Sequence, residues 1–243
     1  MKKNVKRVLL ILIPILILLI GAAFYMLYPM LLMNPTETGM IPGANIFAVK
    51  NNRNSVFFIK TENGYIMVDA GSDEKGLEAS LKENEINADD VNWILITHSD
   101  YDHVASLPLF TNAEIYMGED EIGLVNGTVK RNMFSNNRLP VGTDEITLLS
   151  DRQLLSFEDI SVECIKMPGH TNGSMVYLID GQYLFTGDAF KVIDDVIGIH
   201  PFTMDKETAE TSIKNLNNVI SENQIVIMAH YGYYTANELI SED

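Results

Sequence analysis

Cysteine is almost absent from this chain. Of 243 residues only Cys164 carries a thiol, so no internal disulfide can form. Its setting, "ISVECIKM", is strand-like and reads as a buried small apolar position rather than a reactive nucleophile. Cationic side chains are also scarce, with 17 Lys and Arg against 33 Asp and Glu. Four of the 17, Lys2, Lys3, Lys6 and Arg7, crowd the start, which leaves 13 basic residues facing the 33 acidic ones. That balance excludes the clustered cations a phosphate backbone requires, so nucleic acid is not an expected partner. No internal repeat or low-complexity tract is present beyond one apolar run.

Charge vanishes altogether between Val8 and Met33, where "VLLILIPILILLIGAAFYMLY" (8–28) is apolar almost throughout. About 20 such residues span a hydrocarbon core as a helix. The basic cluster before it predicts a cytoplasmic N-terminus under the positive-inside rule. Residues 1–33 are therefore expected to be a single-pass membrane anchor. The polypeptide beyond it would lie outside the cytoplasm, with the cell membrane as its location. A signal peptide cleaved after "IGAA", giving a secreted protein, is the competing reading. The aromatic-flanked continuation Phe24-Tyr25-Met26-Leu27-Tyr28 favours retention.

A linker rich in Pro, Gly and Thr (34–44) separates this piece from a single domain, 45–243. Short β-type runs open the domain: "NIFAVK", "SVFFIK", a "TENG" turn and "YIMVD". Asp73 predicts a cap for a helix carrying Leu77 and Leu81. "VNWILIT" (91–97) reads as a buried strand, followed by "AEIYM" and a short helix near "EDEIGLV". Residues 126–142 have no clear periodicity. "EITLL", "ISVECIKM", "SMVYLID" and "QYLFTGD" follow, the last two joined at Asp180-Gly181 as a tight hairpin. A helix is predicted from about Asp205 to Glu222, with Ala209, Ile213, Leu216 and Ile220 on one face, before the strand "QIVIMA". Two successive runs of strands and helices predict an α/β (α+β) fold of mixed sheets with helices outside.

The chemistry sits at strand ends. Four of the five histidines follow apolar runs: His98 and His103 in "THSDYDH", His170 in "PGHTNGS" and His230 in "MAHYG". Asp69 in "IMVDAG" and Asp188 in "LFTGD" occupy similar places, where rigid scaffolds present functional groups. Side chains two apart on an extended segment point the same way, so His98 and Asp100 can grip one ion. Asp102 and His103 swing toward a second position as the chain turns into a helix. Asp188 arrives from a separate strand end and is the natural bridge. Mixed imidazole and carboxylate donors suit zinc, iron or manganese rather than calcium.

Taken together, "VDAG", "THSDYDH", "PGHTNGS", "LFTGD" and "AHYG" resemble the five ordered motifs of the metallo-β-lactamase fold superfamily, from about Asn45 onward. The resemblance implies a four-layer αββα sandwich of two mixed sheets, with two divalent ions in a cleft along one edge. It implies that His98, Asp100 and His170 hold the first ion. Asp102, His103 and His230 hold the second, with Asp188 between them. Asp69 is implied as a supporting acid that orders the loops, and Asp102 as a ligand that also handles the proton.

The departure from the family pattern is Asp100, which stands where His-x-His-x-Asp-His has its middle histidine. Two divalent ions, three carboxylates and one hydroxide then sum to zero, where the usual set leaves one positive charge. Zinc is the expected metal, with iron or manganese favoured somewhat by the harder oxygen ligand. His200, in "GIHPFTMD", reads as a surface or capping residue, with substrate contact at the cleft mouth as the second reading. Tyr101 and Tyr231 are candidates to donate a hydrogen bond to substrate or simply to pack. Gly169, Gly173 and Gly187 are expected to let backbone pass close to the metals.

These features predict a hydrolase in which a metal-bound hydroxide cleaves a small-molecule ester, thioester, lactone, amide or phosphoester. The loops "PGHTNGS" and "LFTGD" resemble those of glyoxalase II-like members. One alternative is a di-iron redox or oxygen-handling protein, because flavodiiron members carry an acid at the position of Asp100. The other is a membrane-anchored metal-binding module without catalysis.

Overall fold

The computed structural model describes residues 2–132 and 136–239, apart from the side chains of residues 2–9, 11, 26 and 217. Two units result, residues 1–33 and 34–243. The first is one helix, α1 (Lys2–Leu31), with Pro14 and Pro29 inside it. Leu10, Leu16, Leu18 and Tyr25 on it are exposed. Among the described residues no helix is long and apolar enough to cross a membrane. The side chains of Lys2, Lys3, Lys6 and Arg7, on which the orientation of an anchor turns, lie outside the described residues.

The second unit is built on two mixed sheets. Strands β1 (Gly39–Met40), β2 (Ile46–Asn51), β3 (Asn54–Lys60), β4 (Tyr65–Val68), β5 (Val91–Ile96), β6 (Glu114–Gly118) and β7 (Ile146–Leu149) lie in that order in one sheet. They are antiparallel up to β4 and parallel from β4 to β7. The second sheet uses β8 (Gln153–Phe157), β9 (Ile160–Lys166), β10 (Met175–Ile179), β11 (Tyr183–Gly187), β14 (Ile225–Met228) and β15 (Tyr233–Thr235), in the spatial order β15-β14-β11-β10-β9-β8. Within it, β11 and β14 are parallel. A small hairpin, β12 (Lys191–Ile193) and β13 (Val196–Gly198), stands apart.

Alternation along each strand divides the core. On β3, Phe57 and Ile59 join the cluster between the sheets with Val162, Tyr177 and Phe185. Val56 and Phe58 face the opposite way, with Leu77 and Leu81. Those two leucines belong to α2 (Glu74–Glu83), whose N-cap is Asp73, accepting from Gly76 N. Burying a side chain such as Phe58 or Phe185 contributes about 1.5–3 kcal/mol.

Asp180 and Gly181 have φ +50° and +65°, the mirror-image turn that suits a two-residue hairpin between β10 and β11. The helix expected to reach Glu222 is shorter, α4 (Lys206–Lys214), capped by Asp205 and ended at Asn215. Asn215 and Asn218 follow in the sequence, and their short amides compete with helical hydrogen bonds. Strand β8 and the β12–β13 hairpin had no counterpart in the sequence reading.

The two sheets are tied together at one end. Tyr177 OH donates to Ile96 O (2.6 Å) and Met175 N to Thr97 O (2.9 Å). Gly187 has φ +51°, and a Cβ there would lie 2.4 Å from Thr97 Oγ1. The glycine therefore permits a close approach of the two strand ends. Gly173 acts similarly, since a Cβ on it would sit 2.2 Å from Glu121 N.

Candidate metal centre

The tied end gathers the strand termini that carry the chemistry. Asp69 leaves β4 in the left-handed region, φ +58°, a conformation aspartate tolerates better than most residues. The turn aims its carboxylate at β5. There Oδ1 accepts from Thr97 N (2.8 Å) and Oδ2 meets His103 Nδ1 (2.8 Å). Such a bond fixes the imidazole with its Nε2 directed away, the arrangement that orients a metal-binding histidine. His103 lies on a short helix, α3 (Tyr101–Val104), entered through Asp100, whose side chain makes no capping bond. His230 is held by a contact of its Nδ1 with the carbonyl of Arg53.

Every histidine of the chain converges on one oxygen. Asp188, the first residue past β11, places Oδ2 at 3.3 Å from His230 Nε2, 3.5 Å from His200, 3.6 Å from His170, 3.7 Å from His103 and 4.0 Å from His98. Asp102 Oδ2 lies 3.3 Å from His230 Nε2 and 3.9 Å from His103 Nε2. Among the described residues three groups could each hold an ion: His98, His170 and Asp188; Asp102, His103 and His230; and Asp188, His200 and His230. His98 Nε2, Asp188 Oδ1 and both ring nitrogens of His200 are buried and find no hydrogen-bond partner among the described residues. A buried donor or acceptor left unsatisfied costs about 1–3 kcal/mol. The donor set therefore fits a bound cation.

Asp100 differs from the expectation. Its Oδ2 does approach His98 Nε2 (3.5 Å) and His170 Nε2 (3.1 Å). However, Arg131 grips both of its oxygens, Nε to Oδ1 and Nη2 to Oδ2, each at 2.7 Å. Asn137 Nδ2 adds a bond to Oδ1 (2.8 Å). Arg131 Nη2 also donates to Phe202 O (2.8 Å) and lies 3.3 Å from His170 Nε2. A bidentate guanidinium fork of this kind is among the strongest charge-assisted pairings a carboxylate can find among side chains. Asp100 is thus a carboxylate already matched by a cation.

Electrostatics follow from this packing. Burial opposes the charge of Asp100, yet bonds with His170, His98 and Arg131 hold its carboxyl far below the usual range. Burial likewise opposes charge on Asp188, and His200, His230 and His103 outweigh it. Burial drives His170 down to about 4 and His200 to about 3, both neutral imidazoles near pH 7. His230 moves the other way, to about 10, because Asp188 and Asp102 overcome the cost of burial. Asp102, 41% exposed, is the most open of the acids, and its carboxyl is lowered.

Several neighbours escaped the sequence reading. Arg131 and Asn137 lie in the aperiodic segment, of which residues 133–135 are outside the described residues. Glu121, in the stretch expected to form a short helix, is fully buried and accepts from Ser99 N (2.9 Å) and Thr171 Oγ1 (2.8 Å). His200 is buried within the cluster instead of lying on the surface. Its signal was scarcity, since the other four histidines already pointed to one place. Tyr101 is 70% exposed, and Tyr231 is buried with no hydrogen-bond partner for its hydroxyl among the described residues. Tyr101, Asp102, Arg131 and Phe202 line an open cleft of about 610 Å³ beside the cluster.

Two mixed sheets sharing an end where imidazoles and carboxylates crowd together define a sandwich that carries metal-ligating groups on its strand termini. The model of the metallo-beta-lactamase superfamily matches residues 50–227, and the chain belongs to that superfamily. A probable metallo-hydrolase of Methanocaldococcus jannaschii is 26% identical over 162 residues, 66% of each chain. A probable polyketide biosynthesis zinc-dependent hydrolase of Bacillus subtilis is 32% identical over 126 residues, 51% of this chain and 48% of that one. The chain thus spans between about half and two thirds of these relatives' lengths. Among solved structures, the B3 metallo-beta-lactamase BLEG-1 superposes with a TM-score of 0.63 at 21% identity, covering 79% of this chain and 95% of the other.

Proposed function

We propose that this protein is a metal-dependent hydrolase acting on a small-molecule ester, thioester, lactone, amide or phosphoester. The observation that carries the reading is the convergence of all five histidines on Asp188 Oδ2, with unpartnered ring nitrogens among them. Similarity to a zinc-dependent hydrolase supports zinc as the metal. His98, His170 and Asp188 would hold one ion, and Asp102, His103, His230 and Asp188 a second. Bound divalent ions supply Lewis-acid polarisation of the scissile group and make water more acidic.

The protein's own residues do the rest. Asp69 keeps a proton on His103 Nδ1, so that Nε2 presents its lone pair. Asp102 faces the cleft and is placed to take up the proton released when water attacks. Tyr101, exposed at the cleft, is placed to donate to a substrate oxygen. Arg131 offsets the extra anion of Asp100. With it, a doubly loaded site keeps the single positive charge that a neutral histidine at this position would leave. Because Arg131 and Asn137 already bond the oxygens of Asp100, that residue is a weaker hard-oxygen ligand, which favours zinc over the iron reading.

The test measures metal content together with turnover on chromogenic esters, thioesters and phosphodiesters. The expected result is hydrolysis that vanishes on metal removal and in His103→Ala, whose fold is checked by circular dichroism. Metal bound with no turnover across the panel would reject the enzyme in favour of a binding module. Stoichiometric iron with a visible chromophore would restore the redox reading.

We further propose that residues 1–33 anchor the protein in the cell membrane, with the domain outside the cytoplasm. The uncharged apolar run from Val8 to Met33 and the basic cluster before it in the sequence support this. Recovery in the membrane fraction at full length is expected. A shortened soluble product would favour signal cleavage.

A further inference from the structure

We infer that His200 is a metal ligand beside Asp188 and His230, an added imidazole in a centre whose motif lacks the histidine at position 100. This rests on the metal reading above. Asp100 occupies that motif position, but its oxygens are taken up by Arg131 and Asn137. His200 comes from elsewhere in the chain. The β12–β13 hairpin ends at Gly198, two residues before it, and returns the polypeptide to the cluster. The following turn is pinned there, because Met204 N donates to His170 O (3.1 Å) and Asp205 N to Gly169 O (3.0 Å).

The imidazole so placed lies 3.5 Å from Asp188 Oδ2, with its ring 4.8 Å from His170 and 5.7 Å from His230. It forms with Asp188 and His230 a third group able to hold an ion. It is 1% exposed, and neither ring nitrogen has a hydrogen-bond partner among the described residues. A histidine kept in the core for packing satisfies at least one nitrogen with a backbone or side-chain group. A ligand leaves one free for the ion.

The two roles predict opposite signs on mutation. The full chain in detergent is stripped with chelator and titrated with Zn²⁺ against a competing colorimetric chelator, for wild type and for the His200→Ala, His200→Gln and His200→Leu variants. Zinc affinity is expected to fall roughly 10- to 100-fold or more in the variants, as for groups that hold or orient a metal. X-ray absorption at the zinc edge should show fewer imidazoles per ion. The metal-free melting temperature of His200→Leu should equal or exceed that of wild type, because an unsatisfied polar group has left the core. Unchanged zinc affinity would overturn the inference. So would a lowered metal-free melting temperature with affinity intact, or failure of all three variants to fold. Wild-type chain that takes up no zinc would defeat the metal reading as a whole, a result distinct from these.

Discussion

Replacing Arg131 by leucine isolates the feature that most separates this centre from the motif it resembles. The change deletes two charge-assisted bonds of 2.7 Å onto Asp100 and one of 2.8 Å onto Phe202 O. Asp100 and Arg131 side chains are 18% and 12% exposed, so water replaces little of what is lost. Removing one partner of a buried ion pair costs about 3–5 kcal/mol. Asn137 remains on Oδ1, which favours the lower end, about 3 kcal/mol.

The single tryptophan makes the loss measurable. Trp93 stacks on Phe157 with centroids 5.0 Å apart between the sheets, so its fluorescence reports unfolding of the domain. With a urea slope of about 2 kcal/mol/M, the metal-free midpoint of Arg131→Leu should fall by about 1.5 M. A double-mutant cycle with Asp100→Asn should return a coupling of about 2 kcal/mol. Zinc should then stabilise Arg131→Leu more than wild type, since the bared carboxylate attracts the ion. A midpoint shift below about 0.5 M, or additive single mutants, would refute the pairing.

Two further outcomes follow from the same packing. Burial raises the Glu121 carboxyl above its ordinary value, so between the unfolded and folded values the native state holds the proton more tightly than the unfolded chain. Stability contributed by this group is therefore present at low pH and lost as pH rises through the raised folded value. Glu121→Gln, which retains the acceptor for Ser99 N, should raise the melting temperature at pH 8 and leave it unchanged at pH 4. Equal shifts at both would contradict the assignment. Asp69→Asn keeps a side chain that tolerates the left-handed backbone but weakens the hold on His103. Zinc affinity should fall about 10- to 100-fold in chelator competition, and an unchanged value would remove Asp69 from its supporting role.

What the sequence made legible is what short-range pattern encodes. Apolar runs marked the strands, and their ends marked Asp69, His98, His103, His170, Asp188 and His230, because a strand terminus must deliver whatever residue comes next. Asp73 and the Leu77–Leu81 spacing located a helix for the same local reason. The partners of Asp100 could not be read this way. Arg131 is 31 residues downstream in a segment without periodicity, and only tertiary folding brings its fork to that carboxylate. Glu121 sits among charged neighbours typical of a solvated helix start, and its burial depends on Thr171 and Ser99 closing over it. His200 was misjudged because its burial depends on the β12–β13 hairpin, two strands of three residues with too little pattern to recognise.

The place where a metal binds decides between a catalytic centre and an acidic surface. Crystals of the full chain grown with zinc and measured at the zinc absorption edge should give anomalous peaks within roughly 2.0–2.2 Å of imidazole nitrogens and carboxylate oxygens around Asp188. Zinc found only on the acidic surface, with His98, His103, His170, His200 and His230 uncoordinated, would contradict the catalytic centre.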